Sequence, residues 1–261
     1  METGRERKAK WAGCNRLYLK ETDSTNEEAR RQAVRGACHG TLVVAERQTA
    51  GRGRRGRNWF SPEGGSIYMS LLLRPSLALE KVSMLTLVMA LAVCRAIKEV
   101  CGLETAIKWP NDILLKAKKV CGILTELEMK EGRIDSLVIG VGINIGQQEF
   151  PGEISEMAAS LQQESSKPVD REKLIERVMV SFEECYESFL QSTDLFLLRQ
   201  EYNDRLVNRG KQVRVMGAQE EWTGEALGIN AAGELLVRRK EGNIERVFAG
   251  EVSVRGIYGY V

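Results

Sequence analysis

A glycine- and arginine-rich segment, TAGRGRRGRNWFSPEGG at residues 49–65, stands between two strand patterns. Gly51, Gly53 and Gly56 have the G-x-G-x-x-G spacing of a dinucleotide-binding turn. In that turn the glycines lead from a strand into a helix, whose N-terminus holds the pyrophosphate. Here the alternating segment TLVVAERQ precedes the loop, and a second strand pattern, GSIYMSLLLRP, follows it. The context therefore argues against a dinucleotide-binding fold and predicts a loop that joins two strands.

Composition and charge exclude several classes of protein. The 38 basic and 36 acidic residues give a net charge of +2, which provides no global field for nucleic acid or an anionic membrane. A single histidine, His39, argues against Ser-His-Asp hydrolysis and multi-histidine metal sites. The six cysteines form no C-x-x-C pair, and the most apolar segment, residues 84–94, is about half the length needed to cross a bilayer. We therefore expect a reduced, cytoplasmic protein that does not enter the membrane.

The order of the predicted elements indicates an α+β domain followed by a small all-β domain. Apolar residues recur at helical spacing from Glu80 to Val100, and Gly102 predicts the helix end. After Arg209, short strand patterns alternate with Gly and Asn turns, as in a barrel of about 50 residues. The boundary then divides the chain into residues 1–206 and 207–261. Strands are predicted at residues 15–21, 41–48, 65–75, 104–109, 112–116, 119–129 and 134–145, and helices at 23–36, 80–100, 170–190 and 194–206.

The loop itself has the composition of an anion-binding segment. Its arginines can bind phosphate or carboxylate in bidentate fashion, and its glycines allow the backbone to approach an anion and to rearrange. Trp59 and Phe60 offer a flat surface for a base. These features suit a nucleotide, but they also suit single-stranded nucleic acid, and a solvated basic loop remains a third interpretation. The loop arginines are Arg52, Arg54, Arg55 and Arg57.

Alternation in VIGVGINIG, residues 138–146, predicts a strand with one nearly bare face. The isoleucines and Val141 would face a core, whereas Gly140, Gly142, Asn144 and Gly146 would share the opposite face. Such a face leaves room for a ligand and one amide to bind it, although glycines in strands also mark bulges.

Two further segments place polar groups near each other. KWPNDILL and KKVCGILTELE would bring Lys108, Asp112 and a second lysine together across a hairpin, although turns favour Asn and Asp in any case. DSTN, residues 23–26, predicts a capping box at a helix start, either Thr25 with Glu28 or Ser24 with Glu27. Its hydroxyls can also bind a polar ligand head.

Together, these segments resemble the biotin protein ligase family over residues 17–256, nearly the whole chain. The matching pieces are DSTN, ERQTAGRGRRGRNWFSP, KWPNDILL, KKVCGILTE, VIGVGINIG and GEVSVRG. The resemblance implies an α+β catalytic domain, with a mixed β-sheet and helices on one face, and a C-terminal SH3-like barrel. About 16 residues precede the region of resemblance, so we expect a monofunctional enzyme without the DNA-binding domain of some relatives.

The resemblance also assigns residues to ligands. It gives catalytic roles to Arg52, Lys108, Asp112 and Lys119. It gives biotin binding to Ser24, Thr25, Gln48, Arg52, Arg54, Lys119, Gly122, Leu124 and Gly142. It gives ATP and adenylate binding to Arg54, Arg55, Arg57, Trp59, Lys108, Asn111 and Asn144, with Trp59 covering the adenine.

The family reaction joins biotin to ATP and then to a lysine of a biotin carboxyl carrier domain. Biotin's carboxylate is ionised at neutral pH, so the first step needs no histidine base. No carboxylate-rich metal cluster is evident, so Mg²⁺ would be held by phosphate oxygens and no residue is assigned as a metal ligand. A lipoate ligase of the same fold and a single-strand-binding module are the alternatives. An exposed sheet edge would allow a homodimer.

Overall fold

The computed structural model describes residues 8–146, 149–217, 220–249 and 253–256. These residues form two β-sheets and four α-helices. The helices are α1 (Thr25–Val34), α2 (Met84–Cys101), α3 (Arg171–Ser192) and α4 (Arg199–Arg205). The strands are β1 (Arg16–Thr22), β2 (Leu42–Gln48), β3 (Ser66–Leu73), β4 (Ala106–Lys108), β5 (Asp112–Leu115), β6 (Lys118–Lys130), β7 (Arg133–Asn144), β8 (Gln212–Met216), β9 (Glu221–Ile229), β10 (Leu235–Arg238), β11 (Ile244–Val247) and β12 (Ser253–Gly256).

The larger sheet is mixed and has the strand order β1-β2-β3-β7-β6-β5-β4. Its edge strand β1 runs parallel to β2, and the other neighbouring pairs are antiparallel. β2 and β3 pair directly, so the arginine-rich loop connects two adjacent strands. This confirms the strand–loop–strand context that the sequence predicts.

Helices cover both faces of the larger sheet. Alternate residues of β2 and β3 point in opposite directions. Val43 and Leu72 pack with Ala29 of α1, whereas Val44 and Leu71 belong to the large core that includes α2 and α3. The α+β class and the mixed sheet are confirmed. The helices are not confined to one face, because α2 and α3 lie on one side of the sheet and α1 lies on the other.

The start of α1 differs from the predicted capping box. Ser24 occupies the N-cap position, but within the described residues its side chain makes no capping hydrogen bond. The Asp23 carboxylate accepts the backbone N–H of Ser24 at 2.7 Å, and the Thr25 N–H is donated to Gln48 Oε1 at 2.8 Å. The capping-box prediction is therefore wrong, because neighbouring segments satisfy the polar groups of this turn.

The second sheet is antiparallel, has the order β11-β10-β9-β8-β12, and confirms the small C-terminal barrel. Its buried residues, such as Val213 and Leu235, join the same core as the larger sheet. Trp109 links the two parts, because its indole N–H is donated to the carbonyl of Gly233 at 3.1 Å. The turn that carries Asn111 and Asp112 is thereby anchored on the barrel. In the described part of the chain, no helix has the length and apolarity needed to span a membrane.

The last predicted helix is shorter than expected. The sequence predicts it over residues 194–206, and in the structure it covers Arg199–Arg205. Thr193 ends α3 with a left-handed φ of 57°. The N–H of Leu195 is donated to the carbonyl of Ala231 at 2.8 Å, which ties the start of this segment to the barrel.

Candidate functional site

The glycines of β6 and β7 form a bare floor on the α1 side of the larger sheet. Gly122 is paired with Gly142 in the ladder, and Leu124 is paired with Gly140. The Trp59 indole lies on this floor. A Cβ atom at Gly142 would stand 2.6 Å from the indole nitrogen, closer than packed atoms approach. Glycine is therefore required at Gly142 for this packing, and the prediction of one nearly bare face is consistent with the geometry.

A small polar cavity of about 50 Å³ lies between the start of α1 and the glycine floor. Gln48 organises one wall. Its Oε1 accepts a hydrogen bond from the N–H of Thr25 at 2.8 Å, and its Nε2 donates one to Ser61 Oγ at 2.9 Å. The Ser61 hydroxyl in turn donates a hydrogen bond to the carbonyl of Trp59 at 3.0 Å. Hydroxyl and amide groups therefore connect the α1 turn to the arginine-rich loop.

Asn26 and Ser70 belong to the same network and were missed by the site prediction. Ser70 is fully buried, and its hydroxyl lies 2.8 Å from Thr25 Oγ1 and 2.6 Å from Asn26 Oδ1. Asn26 Nδ2 donates a hydrogen bond to Glu126 Oε2 at 2.7 Å. This contact turns the side-chain carbonyl of Asn26 toward the glycine floor at Gly140. Asn26 stands in the DSTN segment, which the sequence already indicates as a ligand site, whereas Ser70 lies in a fully buried strand and gives no such signal.

A larger cavity of about 540 Å³ adjoins the first. The two cavities share Gly53, Arg54, Trp59, Asn111 and Lys119 in their linings. The larger one is lined by three arginines and by Phe60, whereas the smaller one combines hydroxyl and amide side chains at the α1 end with cations at the end that the two cavities share. The arrangement suits a polar, uncharged head group in one cavity and an anion with a flat ring in the other.

A lysine–carboxylate pair stands where the cavities meet. Lys119 Nζ lies 2.7 Å from Asp112 Oδ1 and 5.1 Å from the centre of the Trp59 ring. Lys108 is almost fully buried and is the ladder partner of Asp112, so a second ammonium approaches the same region. Three groups predicted from separate segments therefore converge through the β4–β5–β6 pairing.

The arginine-rich loop is folded back on itself as a short turn. Arg52 and Asn58 pair as a β-bridge, and the N–H of Gly53 is donated to the carbonyl of Arg57 at 2.7 Å. Within the turn Arg55 has a left-handed φ of 58°. The sequence indicated the glycine-based mobility of this loop but not this turn.

Arg54 points into the site and connects the loop with the barrel. Its guanidinium donates one hydrogen bond to Asn111 Oδ1 at 3.0 Å and another to the carbonyl of Ala249. Burial lowers the pKa of Arg54, with Arg55 and Arg57 acting in the same direction and Asp112 opposing them. The guanidinium nevertheless stays protonated at neutral pH because arginine starts from a pKa above about 12.

The structure brings all the predicted site residues to one of the two cavities. The smaller cavity is lined by Ser24, Thr25, Gln48, Arg52, Gly122, Leu124 and Gly142, together with the shared Arg54, Trp59, Asn111 and Lys119. The larger one is lined by Arg55, Arg57, Lys108, Asp112 and Asn144 and by the same shared residues. The site prediction did not include Trp109, which also lines the larger cavity. Trp109 anchors the turn that carries Asn111 through its hydrogen bond to the carbonyl of Gly233.

The described residues include no group of three or more His, Cys, Asp or Glu side chains that could hold a metal ion. Mg²⁺ keeps several waters and commonly binds through substrate phosphates and one or two carboxylates. The phosphate-suited cavity therefore fits an ion that enters with a nucleotide.

The mixed-sheet domain, with its glycine floor and two adjoining cavities, and the small barrel define a two-part protein whose site suits a polar ligand beside an anionic one. Residues 18–144 match the Biotin/lipoate A/B protein ligase family, and residues 210–255 match the Biotin protein ligase C terminal domain. The chain belongs to the biotin protein ligases of this family.

Individual relatives resemble the chain over most of its length. A bifunctional ligase/repressor BirA of Bacillus subtilis is 40% identical over 246 residues, covering 93% of this chain and 74% of the relative. A biotin–[acetyl-CoA-carboxylase] ligase of Paracoccus denitrificans is 33% identical, covering 86% and 94%. Among solved structures, biotin protein ligase from Aquifex aeolicus in complex with biotin and ATP has a TM-score of 0.81 and 34% identity, covering 93% and 99%.

Proposed function

We propose that this protein is a biotin protein ligase that activates biotin with MgATP and transfers it to a lysine of a biotin carboxyl carrier domain. The observation that carries the proposal is the pair of cavities that meet at Arg54, Trp59, Asn111 and Lys119. An acid and a nucleotide that react must meet at their ends, and a common wall of cations suits that meeting point. The family membership supports the same activity.

The smaller cavity is the proposed site for the head of biotin. A ureido group offers two N–H donors and one carbonyl acceptor, which match hydroxyl and amide groups such as Ser24, Thr25 and Gln48. The acyl chain would then lie along the bare floor of Gly122 and Gly142, beside Leu124. This orientation directs the carboxylate toward the shared wall.

In the first half-reaction, a carboxylate oxygen of biotin attacks the α-phosphorus of ATP. A bond forms between that oxygen and phosphorus, the bond to the bridging oxygen breaks, and pyrophosphate leaves. We assign Arg52, Lys108 and Lys119 to offset the repulsion between the two anions and to stabilise the charge of the transferring group. Arg54, Arg55 and Arg57 would hold phosphates, and Asn111 and Asn144 would supply polar contacts.

Trp59 is assigned to the nucleotide side of the shared wall. Its indole lies on the glycine floor, and within the described residues its buried nitrogen has no hydrogen-bond partner. An aromatic ring at this position can stack with adenine once the floor is taken by the acyl chain. We therefore expect Trp59 to change position when both ligands bind.

In the second half-reaction, the amine of a carrier lysine attacks the acyl carbon, and AMP leaves with the bonding electrons. A free lysine has a pKa of about 10.4, so the incoming group arrives mainly as an ammonium. Asp112 is assigned to orient that ammonium and to stabilise its charge before the proton is released. Lys119 keeps the Asp112 carboxylate in position, because the two groups form an ion pair.

Mg²⁺ would neutralise phosphate charge in the first half-reaction. The phosphates and water would hold it, and the residues of the chain would act on the ligands directly. We propose residues 1–206 as the catalytic domain and 207–261 as the barrel domain. The contact between Arg54 and Ala249 supports a role for the barrel in holding the loop.

The test is incubation with biotin, MgATP and a carrier domain, followed by mass spectrometry of the carrier. We expect one biotinyl group on a single lysine and biotin-dependent exchange of pyrophosphate into ATP. A mass gain with lipoate and none with biotin would assign the site to the other acid of the family. Failure with both acids would overturn the proposal.

A further inference from the structure

Arg52, one of the cations assigned to the substrates, is held by a carboxylate of the chain itself. Glu27 Oε1 lies 2.6 Å from Arg52 Nη1 and 3.2 Å from Arg30 Nη1. Glu27 belongs to the first turn of α1, next to the Ser24–Asn26 turn that borders the smaller cavity. The contact thus joins the helix that borders the cavity to the loop that covers it.

Both partners of this ion pair are fixed by their surroundings. A carboxylate in the first turn of a helix is favoured by the helix dipole, and Arg30 holds the same oxygen from the next turn. On the other side, the backbone of Arg52 is paired with Asn58. The contact is therefore a defined one between two ordered elements, although the Arg52 side chain is half exposed.

The Glu27 contact occupies one of the nitrogens through which Arg52 can bind a substrate carboxylate. A carboxylate pairs with a guanidinium through two nitrogens, either both Nη or Nε with one Nη, and Glu27 already engages Nη1 and holds the side chain toward α1. A second carboxylate at this point also meets the negative charge of the first. We propose, on the basis of the biotin ligase function above, that Glu27 competes with the carboxylate of biotin for Arg52 and thereby weakens binding of the acid.

Competition and support predict opposite results. If Glu27 competes, its neutralisation leaves Arg52 available and removes a repulsive charge, so biotin binds more tightly. If Glu27 instead holds Arg52 in the position that binds biotin, neutralisation of Glu27 weakens the binding of biotin. Exposed ion pairs contribute a factor of roughly two to five to an equilibrium constant, which sets the expected size of either effect.

The experiment compares two ligands on three proteins by isothermal titration calorimetry. The ligands are biotin and biotinol, in which an alcohol replaces the carboxylate. The proteins are the unaltered chain, Glu27→Gln and the matched control Glu21→Gln, which removes an exposed carboxylate paired with Arg47 at 3.1 Å instead of with Arg52. We expect Glu27→Gln to bind biotin about two- to five-fold more tightly and biotinol unchanged, and Glu21→Gln to bind both as the unaltered chain does.

Weaker or unchanged biotin binding by Glu27→Gln would overturn the proposal, and so would an equal gain for biotinol. If the unaltered chain binds neither ligand, the proposed function itself fails, which is a separate result. Glu27→Asp provides a second variant should Glu27→Gln not fold: its side chain is one methylene shorter, so it loosens the contact with Arg52. We expect tighter biotin binding by this variant too, and unchanged binding would count against competition.

Discussion

Lys119, in the wall that the two cavities share, forms an ion pair with Asp112 of the larger cavity, with 2.7 Å between Nζ and Oδ1. The two residues come from adjacent strands, because β5 and β6 pair in this region. The lysine ammonium also lies 5.1 Å from the Trp59 ring centre. One cation is therefore held in contact with a carboxylate and an aromatic face, where an acid and a nucleotide would meet.

Replacing Lys119 by alanine should remove the cation that we assign to the meeting point of the anions. We expect Lys119→Ala to lower biotin-dependent ATP–pyrophosphate exchange by a factor on the order of 10²–10³, as for loss of a main electrostatic stabiliser. Exchange is measured with labelled pyrophosphate at saturating biotin and ATP.

The adjacent Lys118 provides the control, since it is exposed and lines neither described cavity. Lys118→Ala should exchange pyrophosphate as the unaltered protein does. If Lys119→Ala retains most of the activity, Lys119 is not part of the reacting site.

Arg54→Gly should release the activated intermediate. Arg54 links the loop to Asn111 and to the barrel carbonyl of Ala249, so its removal detaches the loop from both partners. A mixed anhydride that is less well covered escapes and reacts with bystander amines. We expect more biotinylation of an added unrelated protein than with the unaltered enzyme, measured by mass spectrometry at equal enzyme concentration. An unchanged level would contradict the covering role.

Gly142→Ala should block the glycine floor. The new Cβ would project from the floor, 2.6 Å from the position that the Trp59 indole now occupies, and would narrow the path proposed for the acyl chain. We expect biotin affinity to fall at least about ten-fold, which corresponds to about 1.4 kcal/mol. Gly146→Ala is the control, since its Cβ would stand an ordinary 3.4 Å from the Cα of Gly65, and Gly146 lies beyond the end of β7. Biotin affinity is measured by titration calorimetry. An equal loss of affinity in both variants would contradict the proposal that the acyl chain lies along the floor at Gly142.

Local patterns predicted the elements that have strong periodicity. The strand assignments around the arginine-rich loop and the long apolar helix followed from alternation and helical spacing, and the structure agrees within a few residues. The glycine floor followed from VIGVGINIG for the same reason, since alternate residues of a strand occupy opposite faces. What the neighbouring strands place opposite these residues cannot be read from one segment.

The missed features all depend on contacts between distant segments. Ser70 gave no signal because a lone serine in a buried strand resembles a tolerated polar residue, and its partners Thr25 and Asn26 are over 40 positions away. The capping box failed because Gln48, from another strand, binds the turn instead. The Glu27–Arg52 contact has the same origin, since a loop and a helix meet only in the folded chain.

Asp23 stands beside the turn at the start of α1. Its hydrogen bonds with Arg31 hold the pKa of the Asp23 carboxyl well below its ordinary value. Desolvation raises this pKa, whereas hydrogen bonds from the Ser24 N–H and the Thr22 hydroxyl lower it further. Its carbonyl also accepts the N–H of Ala50, so this residue ties the turn to the start of the arginine-rich loop. A depressed native pKa means that the unfolded chain binds protons at higher pH than the folded one. The stabilising effect is therefore present above about pH 4 and is lost as the pH falls through the folded pKa.

Asp23→Asn should accordingly lower the free energy of unfolding at pH 7 and matter less in acid. Both side chains of the Asp23–Arg31 pair are more than 40% exposed, with 2.7 Å between Oδ1 and Nη2, so solvent limits the effect. We expect a difference on the order of 0.5 kcal/mol at pH 7 that shrinks below about pH 4, measured by urea unfolding at pH 7, 5 and 3. Arg31→Gln should cost a similar amount, and the double variant should cost less than the sum of the two. A difference that stays constant from pH 7 to pH 3 would show that Asp23 acts through its shape and hydrogen bonds instead of its charge.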